Sequence, residues 1–338
     1  MPDRARGPLL VVGSMNADLV VRTSRLPRPG ETVTGSDLVV SPGGKSSNQA
    51  AAAALLGADV RLLGRVGDDG NADLLLARAR AAGVDIRRVE RLPDVATGTA
   101  MIAVDRSGEN FIIVSPGANA QFAAADVVAA ADFFADGSVL CLCLEVDLSV
   151  VQAAAEAANA AGATVVLNPS PFQDLDERLL RLVDVLVVNE HELADLVGGE
   201  ALGSPDAPDW ERVLEELGSI GPRHVVVTLG SAGAVVLALD AAGAARVHAE
   251  PAPRVEVVDT TGCGDAFLGA LASRLALGED PGTACRFAVQ VGSFAATRPG
   301  AQESYPTAAE LDRFTGSLAG ARSSAAEVVA EGASRSAE

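Results

Sequence analysis

The residues with the clearest chemical potential lie together at positions 259–265, in the sequence Asp-Thr-Thr-Gly-Cys-Gly-Asp. Gly262 and Gly264 let the backbone come close to a ligand, because neither has a Cβ in the way. A helix is predicted to begin directly after them, and the first amides of a helix lack carbonyl partners. These amides and the helix dipole form an anion site, with the carboxylate of Asp265 at its rim. Such a site suits the transfer of a phosphoryl group to an alcohol, because the amides stabilise negative charge and the carboxylate removes the hydroxyl proton.

A simpler interpretation of the same residues is a glycine-bearing turn that starts a helix, with Asp265 serving only as a favourable N-terminal charge. A lone Gly-x-Gly-Asp sequence favours this simpler interpretation, so the remainder of the chain has to decide. The apolar segment 255–258 that enters the turn is predicted to be a strand, and the helix that leaves it is predicted over 266–277. Cys263 lies within the turn, where a helix N-terminus is expected to lower the pKa of a thiol.

Strand and helix patterns alternate along most of the chain, and the apolar runs end in polar or glycine residues. Runs such as 9–12, 139–144 and 185–188 are typical of strands in a parallel sheet covered on both faces. Right-handed crossovers place the carboxyl ends of parallel strands on one edge, where open α/β sheets bind ligands. The residues expected to line one cleft at this edge are Asn16, Asp18, Glu145, Asn168, Asn189, Glu192, Thr228 and Asp265. This convergence favours the functional interpretation of the turn.

Two patches of short alternating segments, at about 14–41 and 96–115, interrupt the α/β alternation. Each is predicted to contribute strands to a small separate sheet. Since both patches flank the same α/β body, we expect this sheet to act as a lid over the cleft. Part of its surface would be apolar, and a homodimer formed through the lid would cover that part.

The segment Gly43-Gly44-Lys45-Ser46 has the letters of a phosphate-binding P-loop but not its spacing. That motif needs a glycine five residues before Gly44, and Val39 stands there. The alternative is a polar, glycine-hinged segment ahead of a helix at 50–56, with Lys45 and Asn48 facing a small polyol.

Composition argues against several classes of function. A net charge of −19 over 338 residues argues against an extended nucleic-acid-binding surface. No apolar run has transmembrane length and the first residues do not form a signal peptide, so a cytoplasmic protein is expected. The four cysteines lack metal-binding spacing, and Cys141, Cys143 and Cys285 are predicted to be small core residues. We expect a flexible N-terminus at 1–8, one domain at 9–318 and a disordered tail at 319–338.

Taken together, the motifs resemble those of the PfkB-type carbohydrate kinases from residue 9 to about residue 314. The matching segments are Gly-Ser-Met-Asn-Ala-Asp at 13–18, Pro-Gly-Glu-Thr-Val at 29–33, Gly-Gly-Lys at 43–45 with Asn-Gln at 48–49, Gly-Glu-Asn at 108–110, Gly-Ala-Asn at 117–119, and 258–267. The Asn-Ala-Asp and Gly-Gly-Lys blocks point to the ribokinase group of that family. The resemblance implies a ribokinase-like three-layer α/β/α sandwich with a mostly parallel central sheet and a small β-sheet lid.

The resemblance also implies a reaction, the ATP-dependent phosphorylation of D-ribose at its 5-hydroxyl, and a role for each matching residue. Asp265 would be the general base, and Gly262, Cys263 and Gly264 would form the anion hole for the γ-phosphate. Ribose would be bound by Asn16, Asp18, Gly44, Lys45, Asn48, Glu145 and Asp265. The nucleotide would contact Asn189, Thr228, Gly230, Ser231, Gly233 and Gly264.

Two kinds of metal ion are implied by the same resemblance. Mg²⁺ would arrive with ATP, and Glu192 would help to organise it through water. A monovalent cation, normally K⁺, would lie beside the anion hole and shape it. Its oxygen ligands would come from Asp259, Thr261, Ala295, Arg298, Gly300 and Ser304, several through backbone carbonyls.

Two departures from the family pattern leave alternatives open. Ser46 and Ser47 replace the usual Gly-Ala after the lysine and are expected to add hydroxyls near the sugar. Val289 stands where a histidine is often found near the adenine. The alternatives are a related kinase for another sugar or a nucleoside, and a non-catalytic sugar or nucleotide sensor. A nucleoside would need an apolar or aromatic shelf, and aromatic residues are only 3% of the chain, which favours a small polar sugar.

Overall fold

The fold is taken from a computed structural model, which describes residues 7–198, 203–204, 207–218, 221–239 and 245–318. The expectations for 319–338 and for most of the segment 1–8 concern residues outside this range. The strands in chain order are β1 (Leu9–Val12), β2 (Asn16–Arg22), β3 (Val39–Gly43), β4 (Val60–Gly67), β5 (Asp85–Leu92), β6 (Gly98–Val104), β7 (Asn110–Ser115), β8 (Val139–Leu142), β9 (Thr164–Leu167), β10 (Val185–Asn189), β11 (Gly203–Ser204), β12 (Ala207–Pro208), β13 (His224–Thr228), β14 (Ala234–Leu239) and β15 (Ala245–Glu250).

The helices connect these strands and pack on both faces of the larger sheet. In chain order they are α1 (Lys45–Leu55), α2 (Gly70–Ala82), α3 (Ala124–Ala129), α4 (Leu148–Ala160), α5 (Glu177–Leu180), α6 (Glu190–Val197), α7 (Trp210–Gly218), α8 (Cys263–Ala276), α9 (Pro281–Ala295) and α10 (308–318).

The central sheet has nine strands in the order β15-β14-β13-β10-β9-β8-β1-β4-β5. Every neighbouring pair from β13 to β5 is parallel, and β14 and β15 extend the β13 edge as antiparallel strands. Side chains of a strand alternate between faces. Accordingly, Leu9 and Val11 of β1 join the core beneath α1, α2, α8 and α9, whereas Leu10 and Val12 join the core beneath α4, α6 and α7. The predicted three-layer sandwich with a mostly parallel sheet is confirmed.

A separate four-stranded sheet has the order β3-β2-β6-β7. Its pairing begins at the carboxyl edge of the large sheet, where Asn16 lies opposite Gly43 on one side and Gly98 on the other. This is the small sheet that the two alternating patches predicted. Among the described residues, no helix combines the length and the apolar character that a membrane crossing needs.

Two local predictions were wrong. The segment 255–258 is not a strand, because β14 and β15 already occupy that side of the sheet and the segment instead runs past the end of α9. The Val258 amide donates to the Ala296 carbonyl at 2.8 Å, and the side chains of Val257 and Val258 are more than half exposed. Helix α1 begins at Lys45 rather than at residue 50, with Gly44 (φ 86°) as its N-cap.

Candidate active site

The turn into α8 is shaped by Gly262, which is the N-cap at φ 72° and makes no side-chain cap. Its carbonyl accepts a hydrogen bond from the Tyr305 hydroxyl at 3.2 Å. A Cβ at position 262 would lie 2.7 Å from that hydroxyl oxygen, so only glycine fits. A Cβ at Gly264 would meet no protein atom within 4 Å. The turn therefore opens toward free space at Gly264, where a ligand can approach the backbone.

Asp265 lies in the first turn of α8 and is 8% exposed. Its two carboxylate oxygens accept from consecutive amide side chains of α1. Asn48 Nδ2 donates to Oδ2 at 2.9 Å, and Gln49 Nε2 donates to Oδ1 at 3.1 Å. The carboxylate is therefore held in one orientation beside the glycine turn, as a general base would have to be.

The residues predicted to bind ribose surround the same carboxylate. Asn16 and Asp18 begin β2, and a Cβ at the facing Gly43 would lie 2.3 Å from the Asp18 carboxyl group. A Cβ at Gly44 would lie 2.7 Å from the backbone nitrogen of Asn16. These two glycines thus bring β3 and the start of α1 against the polar end of β2.

Asn119 orients Asn16, although the sequence motif alone assigned it no role. Its Nδ2 donates to the Asn16 Oδ1 at 2.8 Å and to the Met15 carbonyl at 3.1 Å, while its Oδ1 accepts from the Met15 amide. This bond directs the Asn16 side-chain oxygen to Asn119 and leaves the hydrogens of Asn16 Nδ2 for other acceptors. The only sequence signal was a Gly-Ala-Asn motif just after β7.

Glu145 and Lys45 form the other side of the cleft. One oxygen of Glu145 accepts from the Ser14 hydroxyl at 2.6 Å and from the Lys45 backbone amide at 2.8 Å. Burial disfavours the charge of Lys45, but the carboxylates of Asp265, Glu145 and Glu192 outweigh that effect and raise its pKa. Lys45 therefore keeps its positive charge among these carboxylates.

Asp18 has the most strongly altered carboxyl group of the cleft. Burial, followed by the nearby charges of Glu145, Asp265 and Glu303, raises the pKa of Asp18 to about 7. A raised folded-state pKa means that the folded protein holds a proton that the unfolded chain has lost. Stability from this proton is complete below pH about 4 and is lost progressively as the pH rises to about 7.

We therefore expect Asp18→Asn to stabilise the ligand-free protein in a pH-dependent way. The gain in Tm over the wild type should grow between pH 5 and pH 8 by about 3 °C, because the amide cannot ionise. Thermal unfolding of both proteins at the two pH values measures this. A Tm difference that stays constant, or shrinks toward pH 8, would contradict the raised pKa.

Two cavities meet at the turn into α8. The larger, of about 570 Å³, is lined by Thr228, Gly230, Ser231, Gly233 and Val289 among others, and its apolar wall includes Val255 and Val257. The smaller, of about 160 Å³, is lined by Lys45, Asn168, Asn189, Glu192 and Asp265 among others. Thr228 and Gly264 line both, so an elongated anionic ligand in the larger cavity could reach Asp265 past the glycine turn.

Asn189 and Glu192 cap the start of α6 reciprocally. The Glu192 amide donates to Asn189 Oδ1 at 2.8 Å, and the Asn189 amide donates to Glu192 Oε2 at 2.9 Å. Asn168 also donates to Glu192 Oε2, at 3.4 Å. Glu192 is also one of the residues that line the smaller cavity. No group of three or more His, Cys, Asp or Glu side chains comes together as a metal site within the described part of the chain.

The residues predicted to hold a monovalent cation lie around the C-terminal end of α9. Asp259 accepts from the amides of Thr261 and Gly300, each at 2.9 Å, and these bonds lower its pKa although burial opposes its charge. The Ser304 hydroxyl is fully buried and donates to the Ala301 carbonyl. The carboxylate and the carbonyl-rich helix end fit a hard cation.

Not every side chain of that set faces the loop. The Arg298 guanidinium pairs with Glu310 and lies over the Phe294 ring, 4.3 Å from its centroid. Only the backbone of Arg298 is thus available to a cation. The carbonyl of Ala295 accepts from the Arg298 amide at 3.1 Å, which closes the helix end.

The Ser46 hydroxyl contacts the Cys143 thiol at 3.1 Å, and the Ser47 hydroxyl accepts from Gln302 at 3.2 Å, so both hydroxyls have partners within the protein. The expectation that the pKa of the Cys263 thiol is lowered was wrong. Burial and the charges of Asp259 and Asp265 raise the pKa of Cys263 to about 11. Burial and like charges both disfavour the thiolate.

Comparison with known proteins places the chain among sugar kinases. The profile of a family described as pfkB family carbohydrate kinase matches residues 8–308. The chain is 34% identical over 309 residues to the ribokinase of Haemophilus influenzae, which covers 91% of this chain and 98% of that protein. It is also 34% identical over 308 residues to the deoxyribokinase of Salmonella typhi, covering 90% of this chain and 98% of that protein.

Solved structures agree with the fold. The structure of Arabidopsis thaliana ribokinase complexed with ribose and ATP is similar with a TM-score of 0.81 and 29% sequence identity. The similarity covers 92% of this chain and 99% of that one. The predicted ribokinase-like architecture is confirmed.

Proposed function

The chain belongs to the pfkB family of carbohydrate kinases, and from this premise we propose that it transfers the γ-phosphoryl group of ATP to the 5-hydroxyl of D-ribose, giving D-ribose 5-phosphate and ADP. The observation that carries this proposal is the position of Asp265. Its charge interacts with that of Asp18, which also interacts with Glu145, and it lines the smaller cavity, which shares Thr228 and Gly264 with the larger one. A small polyhydroxylated substrate and a nucleotide can then approach the same carboxylate from opposite sides.

In this mechanism the protein positions groups and neutralises charge. Asp265 accepts the proton of the 5-hydroxyl as the oxygen attacks the γ-phosphorus in line with the departing ADP. The amides at Gly262, Cys263 and Gly264 face the transferred group and stabilise its negative charge. The Cys263 amide already donates to the Thr260 carbonyl at 3.2 Å, so we assign the larger share to Gly264.

The sugar is held by groups of complementary polarity. Asn16 donates through its amide nitrogen, whereas the carboxylates of Asp18 and Glu145 accept from ribose hydroxyls. Lys45, Gly44 and Asn48 complete the set that we propose for ribose. The small sheet closes over the bound sugar and excludes water, which limits hydrolysis of ATP.

The nucleotide occupies the larger cavity in this proposal. Thr228, Gly230, Ser231 and Gly233 line its entrance, and Val289 contributes to its apolar wall, where a flat base can pack. Asn189 lies at the smaller cavity instead, which suits a contact with the phosphates. ATP is available in the cytoplasm, which is the location that we propose.

Metal ions enter the proposal through residues already described. Glu192 would hold Mg²⁺ through water, and the ion would neutralise the phosphate charge. The loop of Asp259, Thr261, Ala295, Arg298, Gly300 and Ser304 would hold K⁺ or a similar monovalent cation. Hydrogen bonds from the Thr261 and Gly300 amides already hold the Asp259 carboxylate in place.

We also propose a homodimer formed through the small sheet. Apolar side chains of β3, β6 and β7 are unusually exposed, among them Val39 at 58%, Phe111 at 59% and Ile113 at 50%. A patch of this kind on a soluble domain favours an interface. Analytical ultracentrifugation should show a dimer for the wild type and a monomer for Phe111→Asp. A wild-type monomer at micromolar concentration would contradict this proposal.

A substrate panel with ADP detection tests the function. We expect D-ribose to give the highest kcat/KM, because its 2-hydroxyl adds a hydrogen bond within a carboxylate-lined cleft. 2-Deoxy-D-ribose should be poorer by at least about tenfold. A preference for 2-deoxy-D-ribose would assign the activity of the Salmonella typhi relative instead, and a preference for nucleosides would assign a nucleoside kinase. ADP release independent of every alcohol tested would overturn the kinase proposal.

A further inference from the structure

Asp265 is tethered at both oxygens, and the two tethers differ in their surroundings. Asn48 is bonded to Oδ2 and also accepts from Gln302 Nε2 at 3.0 Å. Gln49 is bonded to Oδ1 and is 1% exposed. The side-chain oxygen Oε1 of Gln49 accepts from the thiol of Cys141 at 3.4 Å, and Cys141 lies in the buried strand β8. Gln49 therefore connects the carboxylate to the core, whereas Asn48 connects it to the loop after α9.

The packing of two helices makes the Gln49 contact rigid. A Cβ at Gly269 of α8 would lie 2.4 Å from the backbone carbonyl oxygen of Gln49 and 2.9 Å from the Ala52 Cβ. Only glycine permits α1 and α8 to approach so closely. This close approach fixes the distance between the Gln49 side chain and Asp265, one helical turn away from Gly269.

We propose that Gln49 is a positioning residue for the phosphoryl-transfer step, which holds Oδ1 of Asp265 toward the core so that Oδ2 is presented to the substrate hydroxyl. The proposal rests on the function proposed above. Each carboxylate oxygen has two acceptor positions, so Oδ2 can accept the substrate proton beside its bond to Asn48. Without Gln49 the carboxylate could rotate, and Oδ1 would be buried without a donor. The effect should fall on kcat, because Gln49 faces the core and does not line the cavities.

The test is Gln49→Met, which keeps the length of the side chain and removes the amide donor. With the alcohol that the wild type prefers, kcat should fall by about tenfold or more, while the KM values for that alcohol and for ATP change less than about twofold. A change in packing alone would be expected to alter the two KM values as well as kcat.

Cys141→Ala is the matched control. It removes the thiol that contacts the other end of Gln49 and disturbs the same buried region, but it leaves the bond to Asp265. Its kcat should stay within about twofold of the wild type. An equal loss of kcat in Cys141→Ala and Gln49→Met would overturn the positioning role, and so would a Gln49→Met enzyme with wild-type kcat.

A second variant covers the case in which Gln49→Met does not fold. Gln49→Glu keeps the shape of the side chain but places a second carboxyl group against that of Asp265. The repulsion should lower kcat at pH 7 by at least about a hundredfold. Near-normal turnover of this variant would likewise reject the proposal. For each variant, kcat is divided by the wild-type kcat on the substrate that the wild type prefers. A wild type without kinase activity would refute the proposed function, whereas a wild-type kcat retained in the Gln49 variants would refute only the positioning role.

Discussion

Asp265→Asn is expected to lower kcat by at least about a hundredfold while the affinity for ATP changes little. Asparagine has nearly the shape of aspartate but cannot take the proton of the attacking hydroxyl. It can still accept one of the two amide donors from Asn48 and Gln49, so the fold should be retained. Steady-state kinetics with ADP detection, together with calorimetry of ATP binding, measures both quantities.

The control for this variant is Asp280→Asn. Asp280 caps α9 by accepting from the amides of Gly282 and Thr283, and asparagine caps a helix about as well. Its kcat should therefore equal that of the wild type. A turnover of Asp265→Asn within tenfold of the wild type would remove Asp265 from the role of general base.

Gly264→Ala should reduce kcat/KM for ATP by at least about a hundredfold without loss of stability. A Cβ at this position meets no protein atom within 4 Å, so the methyl group is accommodated by the fold. It would project into the space shared by the two cavities, where we propose that the γ-phosphate lies. Alanine also loses less backbone entropy on folding than glycine does, which stabilises the protein by about 0.5 kcal/mol.

Two other glycines provide comparisons for this prediction. Gly70 is likewise in the first turn of a helix, and a Cβ there would also meet nothing within 4 Å, so Gly70→Ala should keep full activity. Gly262→Ala should lower the Tm instead, because its Cβ would contact Tyr305 and Ala301 at a backbone φ of 72°. Normal ATP kinetics in Gly264→Ala would show that the turn does not hold the phosphate.

Much of the site could be predicted from short segments of the sequence, because local rules govern them. Gly262, Gly264 and Asp265 were recognisable from their spacing at a helix start. Apolar runs followed by polar residues indicated one binding edge, since parallel strands must end on the same side. The alternation of apolar and polar residues around β2 and β6 indicated a second sheet, because side chains of a strand point to its two faces in turn.

Other features depend on contacts between segments that are distant in sequence. The apolar run 255–258 has the composition of a strand, yet the hairpin of β14 and β15 occupies the edge that it would join. The Ser46 and Ser47 hydroxyls point to Cys143 and Gln302, about 97 and 255 residues away along the chain. No local pattern reports which partner a buried hydroxyl will find.

The amino-acid sequence by itself determined the kind of fold, and it predicted the edge at which we propose that ligands bind and the acid at its centre, because periodicity and turn chemistry act over a few residues. Only the tertiary structure decided the electrostatics and the support of that acid. The pKa of Cys263 is raised rather than lowered, and Gln49 bonds Asp265 from 216 positions away. Burial and the distances between charges arise only when the segments pack together, and these set the pKa values and orient the side chains.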